Sequence, residues 1–328
     1  MKTYAPTARS YATHLWVFTA LAVASCGEKS GDTGDAVPQP ARVAAAPAPG
    51  VTDSTDWKNV DQAMGRTGKV QPGDVYKYSM PRSDLRVSAG GVAVKPALAL
   101  GSWVAFKRAD GTAMAMGDLV LTENEIAPVM RKLQELGIEQ TALHNHLLHE
   151  SPRVMYLHIH ARGDPVKIAE AVHAALALTK TPPAKPGAVE AAAEAGLDTA
   201  VIAEALGYSG QLSGGVYQVG VARSESVRAD GMEVPPAMGL ATAINFQAAE
   251  GGKAVTTGDF VMTAREVNPV LKALSAAGIT VTALHNHPMN EEPRLFFAHF
   301  WGNDDPVKLA RGLRSALDKM DVKHESSL

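Results

Sequence analysis

The feature that most constrains this chain is an internal copy. Ala142-Leu143-His144-Asn145-His146, followed by Glu150, Pro152, Arg153 and His158, returns as Ala283-Leu284-His285-Asn286-His287, Glu291, Pro293, Arg294 and His299, always 141 residues later. Such a chain folds one unit twice, either as two separate beads or as a pseudo-two-fold pair sharing a core, and the sequence leaves both open.

The copies align well beyond the histidines. Val75-Tyr76-Lys77-Tyr78 matches Val216-Tyr217-Gln218-Val219, and Gly117-Asp118-Leu119-Val120 matches Gly258-Asp259-Phe260-Val261, all read as strands. Thr122-x-x-Glu125 and Thr263-x-x-Glu266 are capping boxes, each opening a helix whose apolar stripe runs through Ile126, Val129 and Leu133 or through Val267, Val270 and Leu274. Asp164-Pro165 and Asp305-Pro306 place an N-cap before a proline at the first helical position of a last helix. The fold class expected is α+β: a tandem duplication of an α-β-β-β-α-β-β-α unit with mixed or antiparallel sheets packed with helices. The boundaries follow as repeat 1 over 53–180, a proline-rich linker over 181–196 and repeat 2 over 197–322.

The amino terminus reads as an export signal. Lys2 and Arg9 precede the apolar run Leu15 to Ala24, which is too short to span a bilayer and ends in Val23-Ala24-Ser25-Cys26. Residues 1–25 are expected to be a lipoprotein signal peptide, Cys26 the lipidated residue, and 26–52 a tether too poor in large apolar side chains to fold. The expected location is the bacterial cell envelope, at the outer membrane facing the periplasm where there are two membranes. Cys26 is the only cysteine, so no intrachain disulfide forms.

An HxH pair on a strand puts both imidazoles on one face. If the chain folds back at Pro152, residues whose numbers sum to 304 oppose each other, setting His146 opposite His158 and His144 opposite His160. The second copy sets His287 opposite His299, with Trp301 in the fourth place. The candidate metal ligands are therefore His144, His146 and His158, with His285, His287 and His299 in the second copy, and His160 either a fourth ligand or outside the set. Three neutral imidazoles with an open position suit a divalent metal, zinc first. Against this stands a polar pocket of internally bonded histidines. Glu150 and Glu291 could bind the metal, serve as general base or orient a ligand, and are equally read as solvated turn carboxylates. Arg153 and Arg294 could hold an anionic substrate group or pair with those glutamates. Met114 and Met116 alternate as copper thioethers could, though paired strand methionines are more often core.

Other chemistries are disfavoured. With 20% charged residues and a net charge of −3, no basic surface invites nucleic acid. No glycine-rich phosphate loop follows a strand, and no serine or cysteine stands in a nucleophile elbow.

The duplicated HNH…E-x-P-R…H pattern with the lipobox resembles the LppY/LpqO lipoprotein family, a duplicated domain without an assigned reaction; the resemblance implies an envelope-associated protein. The His-x-His hairpin also resembles sites in acetolactate-decarboxylase-like folds, where three histidines hold zinc. His144, His146 and Glu150 weakly resemble the first cupin motif, although the second is not evident. Two functions remain: metal-dependent hydrolysis or lysis of a small substrate, and non-catalytic capture of a metal or small ligand in the envelope.

Overall fold

The computed structural model describes residues 57–109, 111–184, 196–287 and 290–324. The signal segment, the tether with Cys26 and most of the linker lie outside the described residues.

In the first repeat, a short helix α1 (Lys58–Met64) leads to β1 (Lys69–Gln71), β2 (Val75–Pro81), β3 (Gly101–Ala109) and β4 (Thr112–Thr122). Helix α2 (Glu123–Glu135), β5 (Glu139–His144), β6 (Val154–Gly163) and helix α3 (Pro165–Leu176) complete it. The second repeat copies this order as α4 (Thr199–Leu206), β7 (Gln211–Ser213), β8 (Val216–Val221), β9 (Thr242–Ala248), β10 (Ala254–Thr263), α5 (Ala264–Ala276), β11 (Thr280–His285), β12 (Leu295–Asp304) and α6 (Pro306–Leu317). Each repeat builds one antiparallel six-stranded sheet, in the order β1-β2-β3-β4-β6-β5 and its counterpart β7-β8-β9-β10-β12-β11. The duplicated α+β architecture is as read from the sequence, with one strand more in each six-stranded sheet and short strand pairs outside them, Ser88–Ala89 with Val92–Ala93 in the first repeat and Arg228–Ala229 with Met232–Glu233 and Glu291–Glu292 in the second. The additional strand is the short edge β1 or β7, whose three residues carry too little alternation to announce themselves.

Both capping boxes form, and each is locked by a buried arginine. Arg82, fully buried, donates to Glu125 at 2.8 Å and to the Val120 carbonyl at 2.7 Å, and pairs with Asp84 at 2.9 Å. Arg223 repeats this with Glu266, the Val261 carbonyl and Glu225. Burial opposes the charge on Glu266, but Arg223 and the Asp321 and Thr263 N–H groups outweigh it and hold the carboxyl at about 2.

Strand alternation sorts side chains into two cores. On β4, Ala113, Ala115, Leu119 and Leu121 join the cluster under the helices, as do Leu157, Ile159 and Ala161 of β6. The alternate residues face the other repeat: Met114 and Met116 pack with Val261, Leu295 and Phe297, while Val120 and Tyr156 pack with Val216 and Val255. This two-sided burial explains why β4 reads as a continuous apolar run. The sheets thus meet face to face, and the excursions between β2 and β3 and between β8 and β9 cross onto the neighbouring repeat. Gln218 donates to the Ala97 carbonyl at 2.8 Å, and its counterpart Lys77 donates to the Ala237 carbonyl at 3.2 Å. Such reciprocity is the mark of a two-fold relation, so the repeats share a core. No helix among the described residues is long and apolar enough to cross a membrane.

Candidate metal centre

The strands carry the histidines, but in a register other than the tight hairpin predicts. His158 faces Ala142, and His144 faces Tyr156, so opposed residue numbers sum to 300 beyond a bulge between Gln140 and Ala142. β5 ends at His144, and His146 stands in the loop that follows. His287 likewise lies beyond β11, and Ala283 takes the place opposite His299. The physical reason is the loop: Asn145 folds back to donate to the Leu147 carbonyl at 2.9 Å and crosses to the Thr282 carbonyl at 3.1 Å, which pulls the chain out of the ladder. Thr282 returns a bond to the His146 carbonyl at 2.6 Å, so the loop is anchored on the other repeat.

The six histidines form one cluster across the pseudo-axis. His144 lies 3.7 Å from its own counterpart His285 between ring centres, His146 lies 3.6 Å from His299, and His158 lies 3.8 Å from His287. The last two contacts are the same contact made twice, exchanged by the two-fold. Three triads have ligand nitrogens within 4.8 Å of one another: His144 with His146 and His158, His144 with His285 and His299, and His158 with His285 and His287. Two of the three draw on both repeats, so the copies do not hold independent sites.

Directly across the sheet from His158 stands Asp118, and from His299 stands Asp259. Asp118 lies 3.8 Å from His146 Nε2 and 3.9 Å from His158 Nε2, and Asp259 lies 3.9 Å from His299 Nδ1. The glycine before Asp259 lets β10 sit close against β9 on its other side: a Cβ at Gly258 would fall 1.8 Å from the Ala243 carbonyl oxygen. These aspartates were not singled out as site residues in the sequence. The available signal was one acidic residue, preceded by glycine and repeated in both copies, inside a strand with no other charged residue.

Burial sets the charges. Desolvation lowers His144 to about 4 and His285 to about 3, and drives His146, His158, His287 and His299 well below the usual imidazole range. Desolvation also raises Asp118 to about 7, against the pull of Lys77, and raises Asp259 well above the carboxylate range, with the charge of Asp118 adding to the effect. Among the described residues, Nε2 of all six histidines and one oxygen of each aspartate are buried without a hydrogen-bond partner. His144 Nδ1 faces the Asn145 carbonyl at 3.2 Å and His299 Nδ1 the Gly258 carbonyl at 3.0 Å, arrangements that place the proton on Nδ1 and leave Nε2 as a lone-pair donor. Neutral imidazoles and an unpartnered oxygen on each aspartate form a donor set that fits a cation.

The other predicted residues lie around this centre. Glu150 sits in the loop with an oxygen 3.5 Å from the Val154 N–H. Glu291 is buried, accepts from the Leu295 N–H at 3.0 Å and pairs with Arg294 at 3.3 Å. The Asn286 side-chain oxygen, in the amide orientation its neighbours require, accepts from Arg294 at 2.6 and 3.1 Å. Arg153 is exposed. The carboxylates beside the imidazoles are thus Asp118 and Asp259. His160 belongs to none of the three triads and lies between Glu139 at 3.2 Å and Asp230 at 3.4 Å. Met114 is core, and Met116 lines a cavity beside His158.

Fold and site together define a duplicated α+β protein with one histidine centre between its halves. The domain described as Domain of Unknown Function (DUF1259) matches twice, at residues 58–178 and 200–319, and the chain belongs to that family. No curated protein matches the sequence. Among solved structures, the trimeric bacterial microcompartment shell protein PduB is similar at 14% identity and a TM-score of 0.23, covering 79% of this chain and 96% of its own. EtuB from Clostridium kluyveri is similar at 11% identity and a TM-score of 0.18, covering 76% and 90%. Both scores are low, and the architecture above rests on this chain's own sheet order and packing.

Proposed function

We propose that this protein is an exported lipoprotein of the LppY/LpqO kind, anchored through Cys26, whose two repeats jointly bind and retain a divalent transition-metal ion, zinc first. The observation that carries the metal assignment is the set of six buried Nε2 atoms without partners, converging from both repeats. Metal analysis of the purified protein tests it. Bound metal is expected, and His144→Ala or His285→Ala, each touching two of the three triads, should weaken binding by more than about 100-fold, beyond the loss typical of outer-shell partners. His160→Ala should leave the metal in place. A wild-type protein that takes up no zinc, cobalt, nickel or copper overturns the assignment. Cys26→Ser is expected to abolish lipid labelling, and labelling that persists would overturn the anchor.

A second reading, metal-dependent hydrolysis or lyase chemistry on a small substrate, draws on the cavity of about 30 Å3 beside His158 and His287, room for about two waters. In that reading a metal held by the histidines would supply a water of lowered pKa, with Glu150 or Glu291 as proton shuttle and Arg153 or Arg294 for an anionic group, none of which lines that cavity. Turnover of ester or oxo-acid substrates that disappears with a chelator distinguishes it from retention alone.

A further inference from the structure

The cavity that touches the centre is asymmetric where the sheets and helices around it are repeated. Its inner wall carries His158 and His287, each more than nine-tenths buried with an unpartnered Nε2 aimed at the centre, and Met116 lies along its side. Its rim carries His160, Glu139 and Asp230. Glu139 is 66% exposed and Asp230 30%, so the rim reaches solvent.

The counterparts of these residues are of a different kind. His160 corresponds to Trp301, Glu139 to Thr280, and Asp230, in the turn of the second repeat's excursion, to Gly90 in the first. Trp301 packs into the apolar cluster of its side, and a Cβ added at Gly90 would lie 3.4 Å from the indole nitrogen, so the ring rests on bare backbone. Both turn positions have left-handed backbone, φ 55 at Gly90 and φ 50 at Asp230. Glycine adopts this conformation freely and aspartate tolerates it better than most residues, so the turn keeps its shape while exchanging a hydrogen for a carboxylate. Asn290 donates to its carboxylate at 3.3 Å and Arg162 to its backbone carbonyl at 3.1 Å, which hold the turn against His160.

We infer that the centre is loaded from one side only: a hydrated divalent cation enters past Glu139, Asp230 and His160 and passes Met116 to reach His158 and His287, while Trp301 on Gly90 plugs the related side. This rests on the metal-binding reading. Two carboxylates at a narrow mouth with apolar walls concentrate cations and raise their arrival rate by roughly 10-fold or more at low salt. The thioether of Met116 is a soft contact along the path.

The test is the rate at which metal-free, full-length protein takes up cobalt(II), followed by its visible absorption, together with the final metal content. Glu139→Gln with Asp230→Asn changes surface groups and is expected to slow uptake about 10-fold at low salt, with much of the salt dependence lost and final content unchanged. His160→Trp with Asp230→Gly imports the opposite plug and should slow uptake and release alike. Trp301→His with Gly90→Asp should speed both by opening a second way in. Variants that load at the wild-type rate and reach full content overturn the one-sided route while leaving the metal centre intact. A wild-type protein that binds no cobalt or zinc at equilibrium removes the centre and the route together.

Discussion

The two ends of the histidine centre teach more by their difference than by their likeness. At one, His160 is flanked by Glu139 and Asp230 beside a small cavity; at the other, Trp301 seats on Gly90 within an apolar cluster. Between them, the ring contacts across the axis and both arginine clamps follow the two-fold, whereas the aspartates do not: Asp118 faces Nε2 of His146 and His158, and Asp259 faces Nδ1 of His299. A shared buried centre is incomplete without both halves, so its residues must match. Its two mouths serve the same interior, and one can be closed without emptying it.

The sharpest way to break the picture of a shared centre is acid. The buried imidazoles resist protonation, while those of an unfolded chain titrate near 6.5, so below that pH unfolding takes up protons and stability falls as the pH drops toward the values of His144 and His285, about 4 and 3. Asp118 and Asp259 act in the opposite sense: raised in the folded state, they favour folding as the pH falls from about 7 toward 4. Six histidines outweigh two aspartates, and the metal-free protein should lose stability on the order of 5 kcal/mol per pH unit between about 6.5 and 5. Chemical unfolding followed by circular dichroism should show one transition. Two separable transitions, one per repeat, would count against a common centre.

Next in size are the clamps. Arg82→Ala and Arg223→Ala each leave a buried carboxylate uncompensated and should cost about 3–5 kcal/mol. The two losses should be similar, because the clamps match where the mouths do not; a large inequality would show that the scaffold is asymmetric too.

The smallest effect separates the aspartates. Lys77 stands near Asp118, and Gln218 takes its place near Asp259, so Asp259 is the less compensated of the two. At pH 8, Asp259→Asn should raise the stability of the metal-free protein by about 1–2 kcal/mol and Asp118→Asn by less, while both weaken metal binding. Thermal unfolding with and without zinc measures both effects, and equal shifts would remove Lys77 from the argument.

Much of this was legible in the chain. The 141-residue offset, the capping boxes and the aspartate-proline helix starts define the repeated α+β unit through local spacing alone, and strand parity puts His144 and His158 on a common face. The local sequence does not say what that face meets, because alternation sorts side chains to a side of a sheet without naming the neighbour on it. Three things were therefore decided only by tertiary structure. The loop held by Asn145 and Thr282 took His146 out of the ladder and altered the register. The reciprocal packing of the sheets merged two expected three-histidine sites into one cluster. That packing also buried Asp118 and largely covered Asp259 beside the imidazoles, turning a repeated Gly-Asp pair into part of the site, since a carboxyl acquires its unusual protonation only when the fold removes its water.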